Sequence, residues 1–300
     1  MKSFDDFDAW GDAVSGANLR LLCDAVETGT WTIGSVDLGS VVLQVASEGG
    51  GNLCYGANTH VGPTLFVPLS RAREHVANGD SLDENSLFAI PRGTDFRICV
   101  RKRSHTWCSI AFSTEILDAT IASVASTKIA CPPGAVPKLA RIVTGIADTL
   151  LSRPTGTAAH AAAGRDLVDA AVACLSTKPP AGAAMGRPRF DRADIVRRAM
   201  AVIEAASVVP TAKELASHVG ITNRTLLRTF QEAYGVPPKK YLMLRELHLI
   251  RRLLQAGAPQ DTTVADVLTR HGIWEFGRFA SRYRGHFGEL PSETLRRARA

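Results

Sequence analysis

The apolar positions along this chain change period. From residue 30 to residue 113 they come in short, β-branched runs: TWTIGSVDLG, SVVLQVASEG, GNLCYGANTH, GPTLFVPLS, SLFAIPRG, FRICVRK and HTWCSIAFS. Gly, Pro, Asn and Asp separate them at short intervals, which predicts an antiparallel barrel or sandwich over about 28–113. The period then becomes helical over 114–126, 136–152 and 158–176, with Leu139, Ile142, Val143, Ile146 and Leu150 on one stripe. That stripe packs either on its own barrel or against a second copy. Residues 18–27 read as a short helix or the lead into a strand, and 1–16 as a loosely held arm.

Residues 176–189, STKPPAGAAMGRPR, have no apolar period and are rich in Pro, Gly and Ala, so the domain boundary falls there. The expected division is a first domain over 1–176, a linker over 177–189 and a second domain over 190–300. A first helix is expected over 190–206. One pattern then occurs twice: TAKELASHVGITNRTLLRTFQEAYGVPP from Thr211, and TVADVLTRHGIWEFGRFASRYRGHFGELP from Thr263.

Each copy has an amphipathic segment, a Gly-Ile pair (Gly220, Gly272), a second amphipathic segment, then an aromatic–Gly step and Pro. Leu215, Val219, Ile221, Leu226, Leu227 and Phe230 supply the apolar face of the first, and Val267, Ile273, Phe279, Tyr283 and Phe287 that of the second. Gly at the turn tolerates the positive φ that ends one helix and lets the next leave steeply. These are two helix-turn-helix units, over 211–235 and 263–288. Pro237-Pro238 opens a connecting helix to about residue 256, closed by Gly257. Twenty residues at 1.5 Å give ~30 Å, close to one turn of duplex DNA.

Charge sharpens the picture. Residues 187–300 carry 20 Lys and Arg against 11 Asp and Glu, a net of +9, while residues 1–186 carry −3. A basic C-terminal part beside an acidic N-terminal part suits a nucleic-acid module with a sensory partner. All six cysteines lie before residue 175 without a CxxC pair, as expected of small buried hydrophobes in a reducing compartment. No apolar run reaches membrane-spanning length and MKSFDDFDAW has no signal-peptide core, so a cytoplasmic protein without membrane attachment is expected.

The repeated units, above all GIWEFGRFASRYRGHFGELPSETLRR from Gly272 to Arg297, resemble the AraC/XylS family of transcription regulators. The likeness covers about 189–297, and the spacing agrees: ten residues from Gly220 to Phe230, eleven from Gly272 to Tyr283. Within the family, the second unit looks most like members related to the ethanolamine regulator. The resemblance implies an α+β chain of two domains. The N-terminal domain would be a cupin-like antiparallel β-barrel with following helices. The C-terminal domain would be all-α, its two helix-turn-helix units joined by a long helix.

The same resemblance implies double-stranded DNA as partner, homodimerisation, and activation through RNA polymerase. In the first unit Thr222 caps the second helix, and Asn223, Arg224, Thr225 and Arg228 project opposite Leu226, Leu227 and Phe230. Arg224 and Arg228 are one turn apart and match the family's base readers; Arg to guanine is the commonest specific contact. Aligning Phe230 with Tyr283 puts Gly277 opposite Arg224 and Ser281 opposite Arg228. The second unit therefore reads as a phosphate holder using Arg278, Arg282 and Arg284, with Glu275 as an acceptor for cytosine N4. Trp274 is expected to pack at the turn. Lys239 and Lys240 open a helix where phosphate also binds. Arg296, Arg297 and Arg299 read as a solvated tail.

The barrel half shows no catalytic motif. Its histidines are His60, His75, His105 and His160, with no HxH to begin a metal set, although His60 and His105 could meet across a barrel. No metal, cofactor or enzymatic activity is expected. Phe88 to Gly93, followed by a strand holding Arg97, resembles the proline–glycine turn of cupin-like barrels. A small effector is expected in the barrel, and His60, Arg97, Arg101 and Trp107 are chosen as its lining because they alternate with apolar residues. The rival readings are a ligand-independent DNA-binding regulator, whose first half only oligomerises or binds a partner protein, and a barrel enzyme fused to a DNA-binding domain.

Overall fold

A computed structural model describes residues 1–113, 126–151, 156–175, 192–256 and 262–299. The expected helix at 114–126 falls outside these apart from Ser126, as do the linker and Gly257. The chain divides into two compact units, Met1–Met185 and Gly186–Ala300.

The first unit is built from two antiparallel sheets. The strands are β1 (Lys2–Phe4), β2 (Ala17–Val26), β3 (Trp31–Asp37), β4 (Val41–Glu48), β5 (Gly50–Asn58), β6 (Thr64–Pro68), β7 (His75–Ala77), β8 (Asp80–Ser81), β9 (Ser86–Ile90), β10 (Asp95–Val100), β11 (His105–Phe112) and β12 (Thr127–Ala130). Seven run in the order β1-β3-β4-β11-β6-β9-β12, and five in the order β2-β5-β10-β7-β8. Residues 18–27, open between helix and strand in the sequence, are almost wholly strand β2.

Successive side chains of a strand face opposite ways, and here both ways are buried. On the seven-stranded sheet, Leu43, Leu65, Val67, Leu87, Cys108 and Ile110 point outward, away from the other sheet. Helices α2 (Ala135–Leu150) and α3 (Thr157–Leu175) cover them, inserting Leu139, Val143, Ile146, Leu167 and Cys174. The α2 stripe thus packs on its own barrel. The alternate residues Ala46, Phe66, Phe88 and Trp107 point inward and meet Leu21, Cys54, Phe96 and Ile98 from the five-stranded sheet.

The first sixteen residues are part of the inner core, which corrects the expectation of a loose arm. β1 pairs with β3, and α1 (Phe7–Asp12) starts on Asp6, whose carboxylate accepts from the N–H groups of Asp8 and Ala9. Trp10 on α1 is fully buried, its indole donating to the Thr32 carbonyl at 3.2 Å. Such a ring outweighs the entropy of ordering a short arm. All six cysteines are buried and outside any disulfide, and burial pushes the Cys23 and Cys99 thiols up to about 12.

The second unit holds α4 (Arg192–Ala205), α5 (Ala212–Val219), α6 (Asn223–Tyr234), α7 (Pro238–Gln255), α8 (Val264–Arg270), α9 (Phe276–Phe287) and α10 (Pro291–Ala298). The central α7 serves both helix-turn-helix units. Near its start Tyr241 stacks against Phe230 and Tyr234 of α6, with ring centroids 5.4 and 4.8 Å apart. Further along, Leu247, Ile250 and Leu254 pack with Val267, Leu268, Phe279 and Tyr283. Residues 291–299, expected in part as a solvated tail, are tied down. Glu289 accepts from Arg251 at 2.9 Å and from Arg297 at 2.8 Å, Arg251 lies over the Phe287 ring, and Arg299 donates to the Thr262 carbonyl at 2.7 Å.

Two substitutions test these assignments. Trp10→Ala is expected to destabilise the first unit by ~3–5 kcal/mol in chemical denaturation of the whole chain. Glu289→Ala, which strips the buried Arg251 of this carboxylate, is expected to cost the second unit roughly 3 kcal/mol, against less than ~1 kcal/mol for the exposed Arg297→Ala.

Candidate nucleic-acid interface and ligand cavity

The two helix-turn-helix units start alike. Thr211 and Thr263 each accept from the N–H three residues on, and Glu214 and Asp266 each return a bond to the threonine N–H, so both first helices open on a capping box. Those bonds hold both carboxyls below the usual range. Both turns use a glycine at positive φ, 71° for Gly220 and 73° for Gly272. The units differ in the next step. The first runs Gly220, Ile221, Thr222 and enters α6; the second runs Gly272, Ile273, Trp274, Glu275 before α9 begins. The one-residue inequality therefore lies in the turn, where the extra position places Trp274.

On α6 the Thr222 hydroxyl accepts from the Thr225 N–H at 3.1 Å. Asn223, Arg224 and Arg228 are exposed and Thr225 is half-buried, while Leu226 and Phe230 face inward. Leu227, expected on the buried side, is 49% exposed, and Thr229 takes the buried position instead. The helical stripe is rotated by one residue from the expected one, so Leu227 joins the outward surface. Arg228 bonds Glu232 one turn on, at 3.0 Å. Lys239 is exposed and Lys240 half-buried at the start of α7.

On α9 the exposed positions include Glu275, Gly277, Arg278, Ser281, Arg282 and Arg284. Glu275 and Arg278 pair at 3.0 Å. Arg282 lies 3.5 Å from Glu246 of α7 and over the Phe279 ring. Burial raises the Glu246 carboxyl above its usual range, against the opposing pull of Arg282. Trp274 is 71% exposed and Phe276 is exposed too, so the expectation that Trp274 packs at the turn is corrected.

The first unit contains a cavity of about 70 Å³ between the inner faces of its sheets. This is several times the ~10–15 Å³ that admits one water. Trp10, Phe66, Phe96 and Trp107 form its apolar walls, with His60, His105, Gln44, Glu48 and Asn52 among the polar lining. Of the four residues expected there, His60 and Trp107 line it and Arg97 and Arg101 do not. In β10 the cavity face belongs to Phe96 and Ile98, so Arg97 points the other way. Arg101 is committed to Asp24, 2.6 Å away, where a bulge between Cys23 and Ala25 interrupts the β2–β5 register.

Glu48 is the polar centre of the cavity and was missed in the sequence. It is 2% exposed and accepts from the Trp107 indole at 2.7 Å and from the Asn52 amide, with the His105 ring 3.3 Å away. A charged residue amid the β4 run SVVLQVASEG was the available signal. His105 also faces the Arg103 carbonyl, 3.1 Å from Nδ1. Burial works against its charge, but Glu48 and these bonds prevail and hold its pKa above the ordinary value. Burial pulls the neighbouring His75 down to about 3. Among the described residues no cluster of three or more His, Cys, Asp or Glu has the arrangement of metal ligands, and no helix is long and apolar enough to cross a membrane.

Known proteins resemble this chain chiefly in its second unit. A family model described as a helix-turn-helix domain matches residues 215–297. The XylDLEGF operon transcriptional activator of Pseudomonas putida is 34% identical over 87 residues, covering 29% of this chain and 27% of that protein. A probable thc operon regulatory protein of Rhodococcus erythropolis is 35% identical over 103 residues, covering 34% of this chain and 31% of that one. The matches thus span under a third of these curated relatives. Among solved structures, the AraC-like transcriptional activator CuxR aligns over 90% of this chain and 99% of that chain, at 17% identity and a TM-score of 0.46. The second unit of this chain thus carries a helix-turn-helix domain of the AraC type, similar to those of the activators above.

Proposed function

We propose that the chain is a sequence-specific transcription regulator that binds double-stranded DNA with its second unit and a small effector with its first. The observation that carries the reading is the repeated helix-turn-helix about α7, with Arg224 and Arg228 on the outward face of α6. α7 is 18 residues long, about 27 Å at 1.5 Å per residue, which suits adjacent major grooves on one face of the duplex. Arg224 and Arg228 read bases, with Asn223 and Thr225 beside them. Arg278 and Arg282 hold phosphates, with Glu275 and Ser281 at the rim and Lys239 and Lys240 at the start of α7. By analogy with the relatives named as activators, the protein activates transcription in the cytoplasm as a homodimer that engages RNA polymerase. No catalytic step enters this reading.

The test is selection of bound sequences from random DNA with the full chain at fixed salt. An information-rich block with a weaker one about a helical turn away is expected; no enrichment over random DNA would sink the proposal. Arg224→Ala and Arg228→Ala are each expected to cost ~1–3 kcal/mol and relax preference at their own bases, while Arg282→Ala weakens all sites evenly and lowers the salt slope by about 1. Altered preference from Arg282→Ala alone would reverse this division of labour.

A further inference from the structure

We propose that the barrel cavity takes a small organic molecule whose apolar body carries an N–H or O–H donor head, an amine or alcohol, and rejects the carboxylate of the same shape. This rests on the effector reading above and adds the chemistry of the ligand.

Two buried polar side chains of the lining have an atom without a partner. Asn52 is 4% exposed and its Oδ1 accepts nothing; Gln44 is 3% exposed and its Oε1 accepts nothing. The orientation of Asn52 is fixed by its neighbour. A carboxylate only accepts, so the Asn52 nitrogen must face Glu48 and its oxygen must face elsewhere. Asn52 shares a strand face with Cys54 and Asn58, both of which line the cavity. Gln44 donates to the Ser15 hydroxyl at 2.9 Å, leaving its own oxygen over. An unpaired buried acceptor is costly, and a ligand donor would offset that cost.

The remaining lining offers an anion no charge partner, only neutral donors such as the hydroxyls of Ser15, Thr64 and Ser109. Among the described residues no Lys or Arg borders the cavity. Both nitrogens of His105 face acceptors, the Glu48 carboxylate and the Arg103 carbonyl, so its N–H groups are engaged within the protein. Burial pulls the His60 ring towards its neutral form. An entering carboxylate would meet a buried carboxylate and two amide oxygens in a poorly screened interior. An amine or hydroxyl would meet acceptors in need of a donor, with Trp10, Phe66, Phe96 and Trp107 around its apolar part.

The test uses the full-length protein and two sets of matched probes: benzylamine, benzyl alcohol and benzoate; butylamine, butanol and butyrate. Affinity is read by calorimetry and by the shift in melting temperature. The amine or the alcohol of at least one set is expected to bind ~10-fold or more tightly than its carboxylate, since a site built around unpaired acceptors discriminates strongly between head groups. Gln44→Met and Asn52→Leu are each expected to weaken that binding ~10-fold, the cost of one lost hydrogen bond. The comparison among probes on the unaltered protein holds even if one variant fails to fold. A carboxylate binding as tightly as its amine and alcohol would overturn the donor-head assignment and leave the effector reading standing. Undiminished binding to both variants would also overturn it. Binding by none of the six would overturn the effector reading as well, in favour of a regulator whose first unit takes no ligand, with DNA recognition untouched.

Discussion

A charge held in a protein interior must be met by charge or by donors, and the middle of the barrel is arranged around that requirement at Glu48. Trp107 and His105 come from β11, Asn52 from β5, and Glu48 from the end of β4, so one carboxylate ties the two sheets together. The cavity walls follow from it. With the nitrogen of Asn52 turned to Glu48, its oxygen is left over, and with His105 between two acceptors, no cation remains uncommitted among the lining residues. The apolar rings complete the enclosure. Stability and ligand chemistry here share the same few hydrogen bonds.

The seven-stranded sheet makes this arrangement possible by being buried on both faces. Its outward residues pack under α2 and α3, and its inward residues meet the five-stranded sheet. A one-residue slip in β4 would exchange its two faces and turn Leu43 or Val45 into the cavity in place of Gln44. The β4–β11 register fixes Gln44 and Glu48 alike, pairing Glu48 with His105 and Gln44 with Ser109.

The second unit depends on a different constraint, the fixed rise of one helix. α7 packs its early turns on α6 and its later turns on α8 and α9, so the separation of the two helix-turn-helix units is set by helix length. The extra residue in the second turn then alters what is displayed there. The first unit presents arginines beside Leu227. The second presents Gly277 and Ser281 at the matching positions, next to an exposed Trp274 and an Arg282 held towards Glu246.

What the chain determines locally was legible in it. The helix-turn-helix repeat, the capping threonines, the two turn glycines, α2 and α3 and most strands follow from period, propensity and positive φ, which each segment carries by itself. The outward placement of Arg224 and Arg228 follows from the same helical period. The tertiary structure decided the rest. Alternation says that Phe96 and Arg97 face opposite ways, but only the position of the second sheet says that Phe96 has the cavity and Arg97 does not. The first sixteen residues look polar and loose until Trp10 finds a site among Phe7, Thr32 and Trp107, which are distant in sequence except for Phe7. Glu48 reads as a charged residue ending a strand until β11 and β5 bring it a histidine, an indole and an amide. Pairings between distant strands carry no local signal, because each partner's sequence is compatible with many others, and those pairings are what make the cavity.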